Sequence, residues 1–337
     1  VDAPQAPWQP DSMTNAYEFH ISGGLTKTDE IIRIAQKVRG FGKPIRLVAY
    51  DTIQGLQWNG GRLVFNQSFV PDSSYPRFSE ITIDNPHLAF DQVAKLNDAG
   101  ISFNLTFNST MESLDTDNEI GNLLLERLQN DMNSVTVATE SLRRHIRSNY
   151  PKYSIIASIC LAMSSIEECI QACERYDKVV MLPVFAYEPE RMAELPKDKL
   201  IFILNDNCYL FCVRKDHYDY ISRCHLAGNS TKEEQKINFS NLRCLAHTVP
   251  GYKNKYKHPS DPAVNARVSK LWEKHLREEG HLPTDTFPFN FNITQTARRG
   301  LIQNGFTTFK LQGREMDDAD YKVRVVDFLE QIVREEL

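Results

Sequence analysis

Residues 133–157 read NSVTVATESLRRHIRSNYPKYSIIA. A β-rich run, Ser134–Ala138, is followed by a helical pattern, Glu140–Asn149, and then by a second β-rich run, Ser154–Cys160. Strand, helix and strand in so short a span argue for two parallel strands joined by a helical crossover. The same rhythm extends both ways. Upstream, β-rich runs fall at Tyr17–Ser22, Ile45–Tyr50 and Ile101–Phe107; downstream, at Lys178–Leu182, Leu200–Leu204 and Thr307–Leu311. Helical patterns lie between most of them, at Thr28–Arg39, His87–Ala99, Glu119–Asp131, Ser165–Arg175, Thr294–Gln303 and Asp317–Glu336. In the first, Ile31, Ile34, Ala35 and Val38 recur at helical spacing. Ser164 with Glu167 reads as a start signal for the fifth helix. Eight strands in alternation with helices predict an α/β fold closed into a (β/α)8 TIM-type barrel. A doubly wound open sheet is the competing architecture, but no G-x-G-x-x-G turn follows the first strand.

Two stretches break the rhythm. Gln54–Tyr75 contains Trp58-Asn59-Gly60-Gly61-Arg62, which reads as a hairpin turn. From Val213 to Phe291 only Val264–Glu279 is helical in pattern, so residues 213–291 form a long insertion after the seventh strand. Insertions at that end of a barrel strand sit over the active-site face. Residues 1–15 read as a disordered arm preceding a single barrel domain, 16–337.

The chain has 337 residues, a formal net charge of -5 and a pI near 6.0. That balance gives no general attraction to nucleic acid or to an anionic membrane. No apolar stretch reaches the roughly 20 residues needed to span a bilayer. Val1–Ser12 has no apolar h-region. Seven cysteines, an odd number, fit reduced thiols or metal ligands in the cytoplasm better than a disulfide framework.

Four of those cysteines, Cys208, Cys212, Cys224 and Cys244, are spaced C-x3-C-x11-C-x19-C. The first pair follows the apolar run Lys199–Leu204, and the second lies in the insertion. Thiolates suit iron–sulfur clusters and structural zinc, and a close pair supplies two ligands from one turn. Four unlinked cysteines are the competing reading. Cys169 and Cys173, at i and i+4 on a helix, read as core packing, and Cys160 as the end of a strand.

The remaining candidates are single side chains. His217 lies near the thiol pair and His20 near the end of the first strand; each is a candidate catalytic group or a plain structural histidine. Lys310 and Arg314 stand at or just beyond the last strand and suit a carboxylate or phosphate, or else an ion pair with Glu315 or Asp317. Arg62 is a further cation beside the Gly60-Gly61 turn. Asn104, Thr106 and Asn108 share one face of the third strand. If that face points inward it departs from the branched apolar filling of a barrel, and Asn108 is the best placed to touch substrate.

Several stretches together resemble the collagenase-like peptidase family. They are Asn133–Ala138 with Tyr150–Ser158, the strand Asp177–Pro183, the stretch Cys208-x3-Cys212-x-Arg214-x-x-His217-Tyr218, and FKLQGR at 309–314. The last is similar to the family's K-I-E-G-R signature, with Leu311 for Ile and Gln312 for Glu. The resemblance covers roughly Ile101–Leu337 and implies a TIM barrel. It also implies, from members active in oxygen-independent hydroxylation, a [4Fe-4S] cluster on four cysteines. The family's cysteine block is spaced differently, so the ligand set here rests on this chain's own spacing.

The leading reading is a cytoplasmic iron–sulfur barrel enzyme, an oxidoreductase of hydroxylase type. It would modify a small anionic or nucleotide-like substrate, with an electron donor or partner protein. Lys310 and Arg314 would hold the anionic group, and Asn108 and Arg62 would orient the remainder. The alternatives are a peptidase-like hydrolase or a lyase with zinc or no metal, and a non-enzymatic barrel whose metal staples a partner-binding insertion.

Overall fold

The computed structural model describes residues 16–60, 81–206, 291–313 and 316–337, and nine residues between 218 and 278. Among these residues nine strands form one sheet. They are β1 (Tyr17–Ser22), β2 (Ile45–Asp51), β3 (Ser102–Phe107), β4 (Ser134–Val137), β5 (Ser154–Ala157), β6 (Lys178–Met181), β7 (Leu200–Asp206), β8 (Phe291–Asn292) and β9 (Thr308–Leu311). Every strand except β8 pairs in parallel, and the ring closes because β7 joins β6 to β9 and β9 joins β1. The fold is therefore a (β/α)8 barrel. Short β8 runs antiparallel along the end of β7, with Asp206 opposite Phe291.

The helices are α1 (Thr28–Arg39), α2 (His87–Asp98), α3 (Glu119–Leu128), α4 (Glu140–Asn149), α5 (Ile166–Arg175), α6 (Gln295–Gln303), α7 (Asp318–Tyr321) and α8 (Phe328–Glu335). A π-helical turn, Lys322–Asp327, joins α7 to α8. In α1 the buried residues are those of the apolar stripe, Ile31, Ile34, Ala35 and Val38. Acidic Asp29 and Glu30 open the helix while Lys37 and Arg39 close it, which suits its dipole. Helix α5 starts one residue later than the sequence suggests: Ser165, not Ser164, makes the capping box, with Glu168. No α-helix links β6 to β7. Short 3-10 turns opened by Pro183 and Pro189 stand there instead, because proline favours starting a turn over continuing a helix.

Three local expectations fail. Gln57–Asn59 is a 3-10 turn rather than a hairpin tip, and Trp58 is fully buried. Trp58 packs edge-on against Phe107 with ring centroids 5.2 Å apart, so it belongs to the barrel wall. Gly60 ends the turn at φ 73°, where a Cβ would lie 2.9 Å from the Ser109 Cα, so glycine alone fits. Cys160 does not end β5; it lies in the 3-10 turn Ile159–Leu161. The helical pattern at 317–336 is broken by the π turn. The proposed arm 1–15 and most of the insertion 213–291 lie outside the described residues.

Strand alternation sorts side chains into two shells. One parity is apolar: Phe19 and Ile21, Leu47 and Ala49, Phe103 and Leu105, Val135 and Val137, all buried in the main core cluster. The other parity faces the barrel interior and is largely polar: Glu18, His20 and Ser22 on β1, Asn104 and Thr106 on β3, Ser134 and Thr136 on β4. The direction is fixed by Lys178 of β6, whose Nζ lies 2.5 Å from Glu18 Oε1 of β1. Two strands separate them around the ring, so the contact crosses the interior. The polar filling is paired. Asn104 Nδ2 donates to Ser134 Oγ at 2.8 Å, Thr136 Oγ1 donates to Asn104 Oδ1 at 2.8 Å, and Thr106 Oγ1 donates to the Asp51 carbonyl. Unpaired, each such group costs a few kcal/mol to bury.

Candidate active site

The polar interior is charged at two levels. At the lower level Glu18 binds Lys178, and Arg46 NH1 of β2 approaches its other oxygen at 3.6 Å. Burial by itself would raise the Glu18 carboxyl. The hydrogen bond from His20 and the nearby cations outweigh it and hold the group well below its ordinary value. Glu18 is therefore an anion at neutral pH.

His20 is the link between levels. Its Nε2 lies 2.7 Å from Glu18 Oε1, and the residue is 2% exposed. Burial pushes the imidazole down to about 4 against the pull of Glu18, with Lys178 and Lys310 adding to the fall. His20 is therefore neutral at pH 7. Facing an ionised carboxylate, it carries its proton on Nε2 and keeps Nδ1 as an acceptor.

Lys310 is the upper cation. It pairs in register with His20, β9 against β1, and is not at the strand end but third of its four residues. Its Nζ sits 3.8 Å above the centre of the Tyr50 ring, a seat of the cation–π kind. Tyr50 is fixed in turn, because its hydroxyl donates to the Leu311 carbonyl at 3.0 Å. Tyr50 stands opposite Ser22 in register. Tyr321 of α7 donates its hydroxyl to the Ser22 carbonyl at 2.8 Å, tying the C-terminal end of β1 to the last helices.

Of the sequence candidates, the structure brings His20 and Lys310 together. Asn108 lies one residue past β3, 8% exposed, and accepts the Ser158 hydroxyl at 2.8 Å, so it ties the β3 and β5 ends. Arg62, His217, Arg314, Cys208, Cys212, Cys224 and Cys244 lie outside the described residues. Cys160, Cys169 and Cys173 are buried in the apolar core, and burial raises the Cys173 thiol. Among the described residues no group of three or more histidine, cysteine or carboxylate side chains could hold a metal ion. Sequence reasoning missed Glu18, Tyr50 and Lys178. The available signal was the alternation Glu18, His20, Ser22 in an otherwise apolar strand.

The mouth of the barrel is formed by the loops after the strands. The chain leaves it at Asp206 and returns at Phe291 beside the same strand end. Ser222 is seated at the mouth, where its Oγ accepts the Thr110 backbone N–H at 3.2 Å in the loop after β3. It is 2% exposed, and Tyr218 is also buried. A cavity of 1070 Å³ lies among Ser164, Ser165, Tyr187, Arg191, Lys270 and Lys274, beside the β5 and β6 ends. It does not include Lys310 or His20. No helix is long and apolar enough to cross a membrane, among the described residues.

No protein-family model matches the chain, and no curated protein matches it. Among solved structures it is similar to the U32 peptidase Mk0906, with a TM-score of 0.42 and 15% identity over 77% of this chain and 88% of that one. The barrel assignment rests on the strand register, not on that likeness.

Proposed function

We propose that this chain is a barrel enzyme of hydrolase or lyase type that binds a small anionic substrate at the C-terminal mouth. One observation carries the reading: Lys310, an inward cation, stands in register with neutral His20. A barrel that serves only as scaffold fills this space with branched apolar side chains. Charged groups there are costly to bury and are best accounted for by use. Lys310 would hold the anionic group. His20, its Nε2–H held by Glu18, would offer Nδ1 as a neutral hydrogen-bond acceptor at the reacting centre. Peptide-bond hydrolysis is the variant that the family resemblance adds. Thermal shift of the full chain against small carboxylates and phosphates tests the reading. A class of anion should raise the melting temperature, and Lys310→Met should abolish that rise while the variant remains folded. Stabilisation that survives Lys310→Met would sink it.

A second reading keeps the iron–sulfur cluster on Cys208, Cys212, Cys224 and Cys244, with zinc as the other metal. Its support is the seat of Ser222 on the β3 loop, because Cys224 follows two residues later in the chain. A cluster would supply electron transfer or an open iron, drawing on an electron donor. Iron and sulfide analysis of protein purified without oxygen decides it: about four of each per chain supports a [4Fe-4S] centre. Zinc, or no metal, would return the site to the first reading.

A further inference from the structure

The buried hydroxyls without a hydrogen-bond partner are not scattered. Among the described residues they are Ser22, Thr52, Thr110, Thr139 and Ser141. Each lies at or just past the C-terminal end of β1, β2, β3 or β4. None lies at the opposite end of the barrel. An orphaned buried hydroxyl is costly, so five at one face call for an account.

Two of them adjoin the Lys310 seat. Ser22 is the last residue of β1, shares its parity with Glu18 and His20, and is 0% exposed. Thr52 follows β2, extends the parity of Val48 and Tyr50, and is 6% exposed. Strands β9, β1 and β2 are neighbours in the sheet. Lys310, Ser22 and Thr52 thus come from three adjacent strands around the Tyr50 ring. The nearest carboxylate in sequence, Asp51, accepts the backbone N–H groups of Leu25 and Thr52.

We propose that Ser22 and Thr52 donate their hydroxyls to the anionic group held by Lys310, and that this group is a phosphate monoester. The inference rests on the reading of Lys310 as the substrate's cation and deepens it. Three donors on three separate strands approach from three directions. A tetrahedral phosphate offers three oxygens to meet them, whereas a planar carboxylate offers two. Both hydroxyls lack partners because the oxygens they serve belong to the ligand.

The test is calorimetric binding of inorganic phosphate and of acetate to the full chain, unmodified and as Ser22→Ala, Thr52→Val and Lys310→Met. Phosphate should bind more tightly than acetate. Ser22→Ala and Thr52→Val should each weaken phosphate about tenfold, with acetate affected less. Thr52→Val keeps the side-chain shape, so it reads the same property should Ser22→Ala fold poorly. Hydroxyl variants that bind phosphate as tightly as the unmodified chain and melt at a higher temperature would overturn the inference. They would show the hydroxyls to be buried without use, and Lys310 would still stand if Lys310→Met lost the anion. Preference for acetate would overturn the phosphate assignment alone. Binding of neither anion, or binding that survives Lys310→Met, would fail the parent reading as well.

Discussion

Nε2 of His20 lies 2.7 Å from Oε1 of Glu18 inside the barrel, two residues apart on one strand and on the same face. Because burial holds the imidazole of His20 down to about 4, the folded protein takes up this proton less readily than the unfolded chain. Between about pH 6.5 and 4 the unfolded state therefore binds more protons, and stability falls as pH falls. The full contribution is present above about 6.5, and the loss amounts to a few kcal/mol. Glu18 acts in the same direction at lower pH, since its depressed carboxyl must be protonated as the fold is lost. His20→Gln keeps an N–H for Glu18 but cannot titrate. Urea unfolding from pH 4 to 7 should show a flatter slope for the variant than for the unmodified chain. Parallel slopes would mean that His20 takes up its proton freely in the folded state.

Removing Glu18 should be far worse than removing a surface carboxylate. Lys178 at 2.5 Å and Arg46 at 3.6 Å would be left as like charges in the barrel. Glu18→Ala is expected to cost about 3–5 kcal/mol by chemical unfolding. The double variant Glu18→Leu with Lys178→Met should recover much of the loss, because apolar filling restores what most barrels contain. A double variant as unstable as the single one would show that packing, not charge, is at stake.

The fold was open to sequence reading because each strand–helix unit is locally consistent. In α1 the apolar stripe, the acidic start and the basic end all mark Thr28–Arg39, and the helix has those bounds. The strands were found for the same reason, with ends shifted by a few residues: β7 runs on to Asp206, past the apolar Leu204, because its last residues pair with β8. The site was harder. Lys310 reads as a strand-end cation, yet the chain places it a layer deeper, since β9 ends only at Leu311. The partnership of Lys178 with Glu18 spans 160 residues and follows from closure of the ring, which no local pattern displays. Trp58 was misread because Asn59-Gly60-Gly61 carries hairpin chemistry, while the indole is claimed by Phe107 and by Gly121 on α3.

That last contact gives a sharp test. Glycine to alanine in a helix interior normally gains about 1 kcal/mol. At Gly121 a Cβ would stand 2.4 Å from the Trp58 ring, far inside van der Waals contact. Gly121→Ala should therefore destabilise by about 1–3 kcal/mol. Coupled to Trp58→Leu, the same change should cost much less, because the ring that it meets is gone. Equal costs in the two backgrounds, read from denaturant midpoints, would mean that Trp58 is not what excludes the methyl group.

Tyr50 has two jobs that separate by mutation. Its hydroxyl ties β2 to the Leu311 carbonyl, and its ring seats the Lys310 ammonium. Tyr50→Phe removes the hydroxyl and keeps the ring. It should lower stability by about 1 kcal/mol and leave anion affinity nearly unchanged. Tyr50→Leu removes the ring as well, so the ammonium loses its cation–π seat and the order that the seat imposes. Anion binding should then weaken several-fold beyond the phenylalanine variant, while the added loss of stability stays modest. The comparison is best made as affinity for one anion across the three proteins at fixed ionic strength, since salt screens the charge of Lys310 equally in all. If the leucine variant binds as tightly as the phenylalanine variant, the ring does not position Lys310 for a ligand, and its contact with the ammonium is packing alone.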